Sequence, residues 1–366
     1  MCFLEERERR TFASMIIVSR SPLSHPSALS HHSRARVRFS YYTNNMEMRA
    51  FGRTGMQVGA LGLGAAEIGF ENTADHTLDT LLGEALELGF NVIDTAAMYS
   101  DSEEKIGRSL RGRRNRVYLF TKCGQHLPPR SSLAGFLVRV CHKLRRSIGG
   151  VDEYESLEWD PRVLEWNIEQ SLVRLKTDRI DLIQLHSCSE EILRRGDVIE
   201  VLQRACQAGK VCHIGYSGDG QAALYAVRCG HFEALQTSIN VADQEALDLT
   251  VPLARQQDMG LIAKRPIANG LWRNVQRPRI SGLHTYWDRL QELRYDWWRD
   301  QRVCEIALRF TLSVPGVSTA IVGTTNLAHF RQNVKIAADG ALDKDQFDAI
   351  RARWKQIARP DWVGQM

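Results

Sequence analysis

Four ionisable side chains stand at or just past the ends of short apolar runs: Asp94 closes NVID with Tyr99 shortly after it, Lys122 closes VYLFTK, and His186 closes IDLIQLH. A tyrosine beside a lysine is a proton donor that can be tuned, because a phenol with an ordinary pKa near ~10 is drawn towards the working range by a neighbouring cation. An aspartate paired with that lysine keeps the ammonium charged in a dry pocket, where a lone lysine would tend to lose its proton. A histidine in the same place donates a hydrogen bond to a substrate oxygen and orients it. The set suits protonation of a carbonyl oxygen as a hydride reaches its carbon. Each residue alone has a plainer reading: a turn cap for Asp94, a rim side chain for Tyr99, a solvated strand end for Lys122, a satisfied core imidazole for His186. Their joint spacing favours the chemistry.

Such residues can meet only if the strand ends converge. From Met48 onward, short Val/Ile/Leu-rich runs alternate with amphipathic stretches of helical period, the pattern of repeated βα units. After an N-terminal hairpin in MRAFGRTGMQVG, turning at Thr54 and Gly55, the expected strands are 60–64, 91–94, 117–122, 180–186, 212–216, 234–239, 260–264 and 319–322. Helical stretches are expected near 74–88, 102–111, 161–176, 191–208, 219–230, 245–257, 301–312 and 326–338. This alternation predicts an α/β fold, a (β/α)8 TIM barrel, whose C-terminal strand ends form one mouth. An open dinucleotide-binding sheet is disfavoured, because GLGLGAAEIG lacks the acidic residue about 20 positions on that such a fold requires. Two long connections, 123–160 and 265–300, are expected at the mouth after the third and seventh strands. The second carries Trp272, Tyr286, Trp287, Trp297 and Trp298, which either line an apolar pocket or anchor the loop.

The chain has 366 residues, 43% of them hydrophobic and 25% charged, the balance of a globular protein. Of the formal charge of +5, residues 1–45 contribute +4 through seven Arg against three Glu, which leaves the body nearly neutral. A near-neutral body with dispersed Lys and Arg carries no electrostatic footprint for nucleic acid. Residues 1–45, rich in Ser, His, Arg and Pro, are expected to be disordered or a non-native extension ahead of a start at Met46 or Met48, with 46–366 forming one domain. Eight cysteines without metal-ligand spacing read as reduced thiols, and no apolar run approaches the ~18 residues of a membrane span. A cytoplasmic protein without membrane or metal partners is the expectation; the oligomeric state is open.

The segments FGRTGMQVGALGLG, NVIDTAAMYSDSEEKIGRSL, VYLFTK, IEQSLVRLKTDRIDLIQLH and IVGTTNLAHFRQN, in this order, resemble the successive signatures of the aldo-keto reductase superfamily over residues 48 to about 340. The resemblance implies that Asp94, Tyr99, Lys122 and His186 are the catalytic tetrad, with Tyr99 as general acid, and that an extended nicotinamide cofactor binds without a dinucleotide-binding sheet. It places carboxamide contacts at Ser217 and Gln236. Gly218 stands where the family usually has Asn, so Asn240 is a candidate replacement donor. AKRPIANG resembles the pyrophosphate loop, implicating Lys264, Arg265 and Pro266, with Lys264 in place of the aromatic residue that often stacks on nicotinamide. The adenosine end falls to Gly323, Thr324, Thr325, His329, Gln332 and Asn333. Members selective for NADP usually carry Lys or Arg near the 2′-phosphate, where this chain has Thr324, Thr325 and His329; the family favours NADP(H), with NAD(H) as the other candidate.

The resemblance implies reversible reduction of an aldehyde or ketone, a small-molecule carbonyl substrate. Two other readings stay open. A Schiff-base aldolase on the same barrel would use Lys122 or Lys264 as nucleophile. A nucleotide-sensing subunit with slow or absent turnover would use the same dinucleotide pocket, since fold alone does not assign function.

Overall fold

A computed structural model of the protein describes residues 46–71, 73–126 and 158–365. The expectations for residues 1–45, and for most of the 123–160 connection, lie outside the described residues.

Eight parallel strands close into a barrel: β3 (Leu61–Gly64), β4 (Val92–Asp94), β5 (Tyr118–Cys123), β6 (Ile180–His186), β7 (Val211–Ser217), β8 (Ala234–Ser238), β9 (Gly260–Lys264) and β10 (Val317–Gly323), with β10 pairing to β3. Ahead of them β1 (Met48–Ala50) and β2 (Gln57–Gly59) pair antiparallel, their turn containing Gly55 at φ 77°. This hairpin plugs the bottom of the barrel: Phe51, Met56 and Val58 pack with Val92, Phe120, Leu182, Ile262 and Ile321 in one buried cluster.

Side chains alternate across a strand, so the residues above this plug are fixed by counting in twos. Asp94 follows Val92, Lys122 follows Phe120, Gln184 and His186 follow Leu182, Lys264 follows Ile262, and Gly323 follows Ile321. Inward-facing apolar residues fill the lower barrel and inward-facing polar residues emerge at the top. Cross-strand register then sets Gly323 beside Gly64, Gly64 beside Asp94, His186 beside Ser217, and Ser217 beside Gln236. The larger core lies between barrel and outer helices, and includes Leu78, Leu82, Ile106, Leu164, Ile168, Val201, Leu202 and Leu308.

The helices follow the expected alternation with local differences. The helix Pro161–Leu175 begins at Asp160, whose side chain accepts from the Arg162 N–H, and has proline at its first position, where no donor is lost. The expected helix 191–208 is two, Glu190–Arg195 and Asp197–Gln207, divided at Gly196 in the left-handed region. The stretch 245–257 is likewise Glu245–Leu249 and Val251–Gln256, with Pro252 in the first turn of the second. A final helix, Lys344–Ile357, was not anticipated; Trp354 on it packs at a tilt against Trp362 of the tail, 5.3 Å between ring centres. No described helix is long and apolar enough to cross a membrane.

The aromatic loop 265–300 forms a second core. Tyr286, Trp298 and Tyr295 are buried with Leu290, Leu293, Phe310, Trp354 and Trp362, and Trp272, Trp287 and Trp297 pack against them. None of its five Trp and Tyr residues singled out above lines the cavity at the mouth. Pairing with one another and with the C-terminal helix buries more aromatic area than projection into a polar cleft, so they anchor the loop.

Candidate active site

A cavity of ≈ 940 Å³ opens at the C-terminal ends of the strands. Asp94, Tyr99, Lys122 and His186 all line it, together with Ser217, Gln236, Lys264, Arg265, Pro266, Gly323, Thr324, Thr325, His329, Gln332 and Asn333. Every candidate catalytic or cofactor-binding side chain from 94 to 333 named above thus lines one cavity, except Asn240. That residue is fully buried and is not among the lining residues; its Oδ1 accepts from the Ala242 N–H, while its Nδ2 has no hydrogen-bond partner. Gly218 itself could not carry a side chain here without the Tyr216 ring moving, because a Cβ would stand 2.6 Å from its hydroxyl.

At the centre, the Lys122 ammonium donates to Asp94 Oδ2 at 2.6 Å and to the Thr95 carbonyl at 2.9 Å, in a site where Lys122 and Asp94 are 2% and 3% exposed. It also lies 5.1 Å from the centre of the Tyr99 ring. Burial alone would strip the proton from Lys122, but Asp94 and Tyr99 outweigh it and hold the ammonium above its ordinary pKa. For Tyr99 burial is the largest influence and raises the phenol; Lys122 pulls it back without reversing the direction. The lysine therefore does not draw the tyrosine below its ordinary range, as the residue types alone suggested. Tyr99 is a fully protonated donor at neutral pH.

The His186 ring meets Tyr99 edge-on at 5.7 Å between centres. Burial, then the charges of Lys122 and Lys264, push its pKa well below the ordinary histidine value, so the imidazole is neutral. Its Nδ1 is buried with no hydrogen-bond partner. Gln184, two residues earlier on the same inward face, donates to Asp94 Oδ1 at 3.4 Å, a supporting contact readable from strand period but not singled out above.

The chain turns sharply where these side chains leave the barrel. Ser100, Ser187 and Arg265, immediately after Tyr99, His186 and Lys264, all have positive φ (49°, 63° and 56°). Non-glycine residues in that region are uncommon and cluster at functional sites. Propensity gave no sign of these turns.

On the far side, the Ser217 hydroxyl donates to Gln236 Oε1 at 2.8 Å. Lys264 pairs with Asp219 at 2.8 Å, and Asp219 also accepts from the Thr237 hydroxyl and the Ser238 N–H. Burial would raise the Asp219 carboxyl, but Lys264 and these hydrogen bonds hold it below the usual carboxylate range. Arg265 donates to the Gln365 carbonyl of the C-terminal tail at 2.9 Å, a contact the sequence did not announce. At the other end, the helix Leu327–Ala338 is capped by Asn326, and His329, Gln332 and Asn333 project from it to the cavity. The donor set fits an extended dinucleotide: serine and carboxamide groups at one end, a guanidinium in the middle, and amides suited to a base edge at the other.

The aldo/keto reductase family model matches residues 60–355, and the chain belongs to this family. It is 25% identical to the uncharacterized oxidoreductase YqkF of Bacillus subtilis (strain 168), covering 85% of this chain and 97% of that one. It is 23% identical to the L-galactose dehydrogenase of Arabidopsis thaliana, covering 87% and 97%. The fold matches that of an aldo-keto reductase from Bacillus halodurans, described as a holo form, with a TM-score of 0.70 at 23% identity over 87% of this chain and 99% of that one. The protein is an oxidoreductase of the aldo-keto reductase family on a (β/α)8 barrel.

Proposed function

We propose that the protein interconverts an aldehyde or ketone and its alcohol, with NADP(H), which the family favours, or NAD(H) as partner and Tyr99 as the general acid or base. The observation that carries this reading is the Lys122 ammonium bonded to Asp94 and 5.1 Å from the centre of the Tyr99 ring, which meets a neutral His186 edge-on. A bound nicotinamide dinucleotide supplies or accepts the hydride. Tyr99 gives its proton to the carbonyl oxygen in the reductive direction and takes it back from the alcohol in the other. Lys122 holds a positive charge beside the developing alkoxide, and Asp94 keeps that charge in place. Neutral His186 donates to the same oxygen and fixes its position. Ser217 and Gln236 hold the carboxamide, Lys264, Arg265 and Pro266 flank the phosphates, and Gly323, Thr324, Thr325, His329, Gln332 and Asn333 surround the adenosine.

The relative named D-threo-aldose 1-dehydrogenase of Pseudomonas sp, 26% identical over 78% of this chain, fits a hydroxylated carbonyl or lactol among the substrates. We place the enzyme in the cytoplasm as one domain over 46–366, its six described cysteines being free thiols. The Schiff-base reading is disfavoured because a lysine held as ammonium is not a nucleophile, and Lys264 is engaged by Asp219. The test is titration of the purified protein with NADPH and NADH, followed by turnover on a panel of aromatic aldehydes, aldoses and ketones. Binding with carbonyl-dependent oxidation is expected; failure to bind either dinucleotide overturns the reading.

A further inference from the structure

The wall at the adenosine end is built from two segments that the barrel closure brings together, 64–71 after β3 and 321–333 after β10. Among the described residues of these segments that line the cavity there is no Lys or Arg; there are two carboxylates, Glu67 and Glu71. Glu71 Oε2 accepts from the Thr325 hydroxyl at 2.7 Å, at one of the positions the family resemblance assigns to the 2′ end of the ribose. Glu67 lies flat against Gly323, so close that a Cβ on that residue would collide with its carboxylate. A lysine there, or any side chain, is excluded while Glu67 keeps its place.

Two neighbouring sources of positive potential are already engaged, and, Lys122 aside, the cations that line the cavity elsewhere, Lys264, Arg265 and Arg273, come from the end of β9 and the connection after it rather than from these two segments. Arg331 on the neighbouring helix donates to both oxygens of Glu84, at 2.6 and 2.9 Å, and does not line the cavity. The N-terminus of the helix Leu327–Ala338, ordinarily a phosphate site, has the N–H groups of Ala328 and His329 already donating to Asn326 Oδ1. A ribose 2′-hydroxyl can donate to a carboxylate, as in dinucleotide-binding folds where an acidic residue takes this hydroxyl. A 2′-phosphate would set two further negative charges beside Glu67 and Glu71.

We infer that this wall selects the dinucleotide with a free 2′-hydroxyl, NAD(H), over its 2′-phosphorylated form, and that Glu67 and Glu71 are the discriminating residues. The inference rests on the dinucleotide-dependent function proposed above and narrows its cofactor against the family preference. Burial, and to a lesser degree the neighbouring Glu71, push the Glu67 carboxyl above its ordinary pKa.

Equilibrium titration of the full chain by tryptophan fluorescence, with NADH and NADPH in parallel, tests it without reference to turnover. The expected result is tighter binding of NADH by roughly tenfold or more, since like-charge juxtaposition is strongly disfavoured. Glu71→Gln should narrow the ratio and Glu67→Gln/Glu71→Gln should bring it close to unity, mainly through improved NADPH binding. Equal or tighter binding of NADPH by the unaltered protein overturns the inference and leaves the oxidoreductase reading standing, as does a ratio that neither variant moves. Binding of neither dinucleotide overturns both.

Discussion

Gly69 packs against the backbone of Tyr99 so closely that a Cβ at Gly69 would collide with the Tyr99 carbonyl oxygen. The contact ties the short helix Ala66–Phe70 to the loop that presents the proposed proton donor, and Phe70 adds an edge-on ring contact to Tyr99 at 5.7 Å. Tyr99 is placed by its backbone as much as by its side-chain partners.

Replacing Gly69 with alanine is therefore expected to move the phenol. A reacting group misplaced by about 1 Å loses on the order of a hundredfold in rate, so Gly69→Ala should lower kcat by roughly tenfold to a hundredfold with little effect on dinucleotide affinity. Steady-state kinetics beside a circular dichroism melt would show this; an unchanged kcat in a folded variant would remove Gly69 from any positioning role.

The Asp94–Lys122 pair makes a prediction on stability. Removing one partner of a buried ion pair leaves a charge without compensation, so Asp94→Asn or Lys122→Met should each cost about 3–5 kcal/mol in denaturant unfolding. The double replacement Asp94→Leu with Lys122→Met should recover most of that loss, because hydrophobic substitutes can be neutral. Activity should not return with it. A double variant that is as unstable as either single one would contradict this picture of the pair.

Two pKa directions set the pH profile. Tyr99 is raised above its ordinary value of 10.0, so it stays protonated through neutral pH and the reductive reaction should hold steady until the solution is strongly alkaline. The oxidative reaction, which needs the phenolate, should climb over the same range. His186 lies well below its ordinary 6.5, so no acidic loss from its protonation is expected on passing down through the usual histidine range. Profiles of kcat/KM in both directions would check the signs; a reductive limb falling near neutral pH would contradict them.

Much of this site was written in strand period. Once Val92, Phe120, Leu182 and Ile262 are taken as barrel interior, a step of two brings Asp94, Lys122, Gln184 and Lys264 to the mouth, and eight alternating βα units close the ring. Contacts between segments distant in sequence were not legible: Asp219 engaging Lys264, the tail carbonyl of Gln365 taking Arg265, and Glu67 seated on Gly323 all depend on where loops land. The aromatic loop stayed open between two readings for a related reason, since Tyr286 and Trp298 show that they are apolar but not which surface they cover until the final helix and Trp362 are in place. The Tyr99 pKa was misjudged because the neighbouring cation was visible in the sequence and the depth of burial was not.

The central claim is that Tyr99 transfers the proton. The direct measurement is dinucleotide oxidation by Tyr99→Phe on a carbonyl substrate that the unaltered protein turns over, with NADH and NADPH each titrated against both proteins. The account predicts dinucleotide affinities within about twofold of the unaltered protein, because a single hydroxyl contributes little to the binding of so large a ligand, together with loss of at least ~10²-fold in kcat from the missing acid. Turnover retained by Tyr99→Phe with either dinucleotide would contradict it.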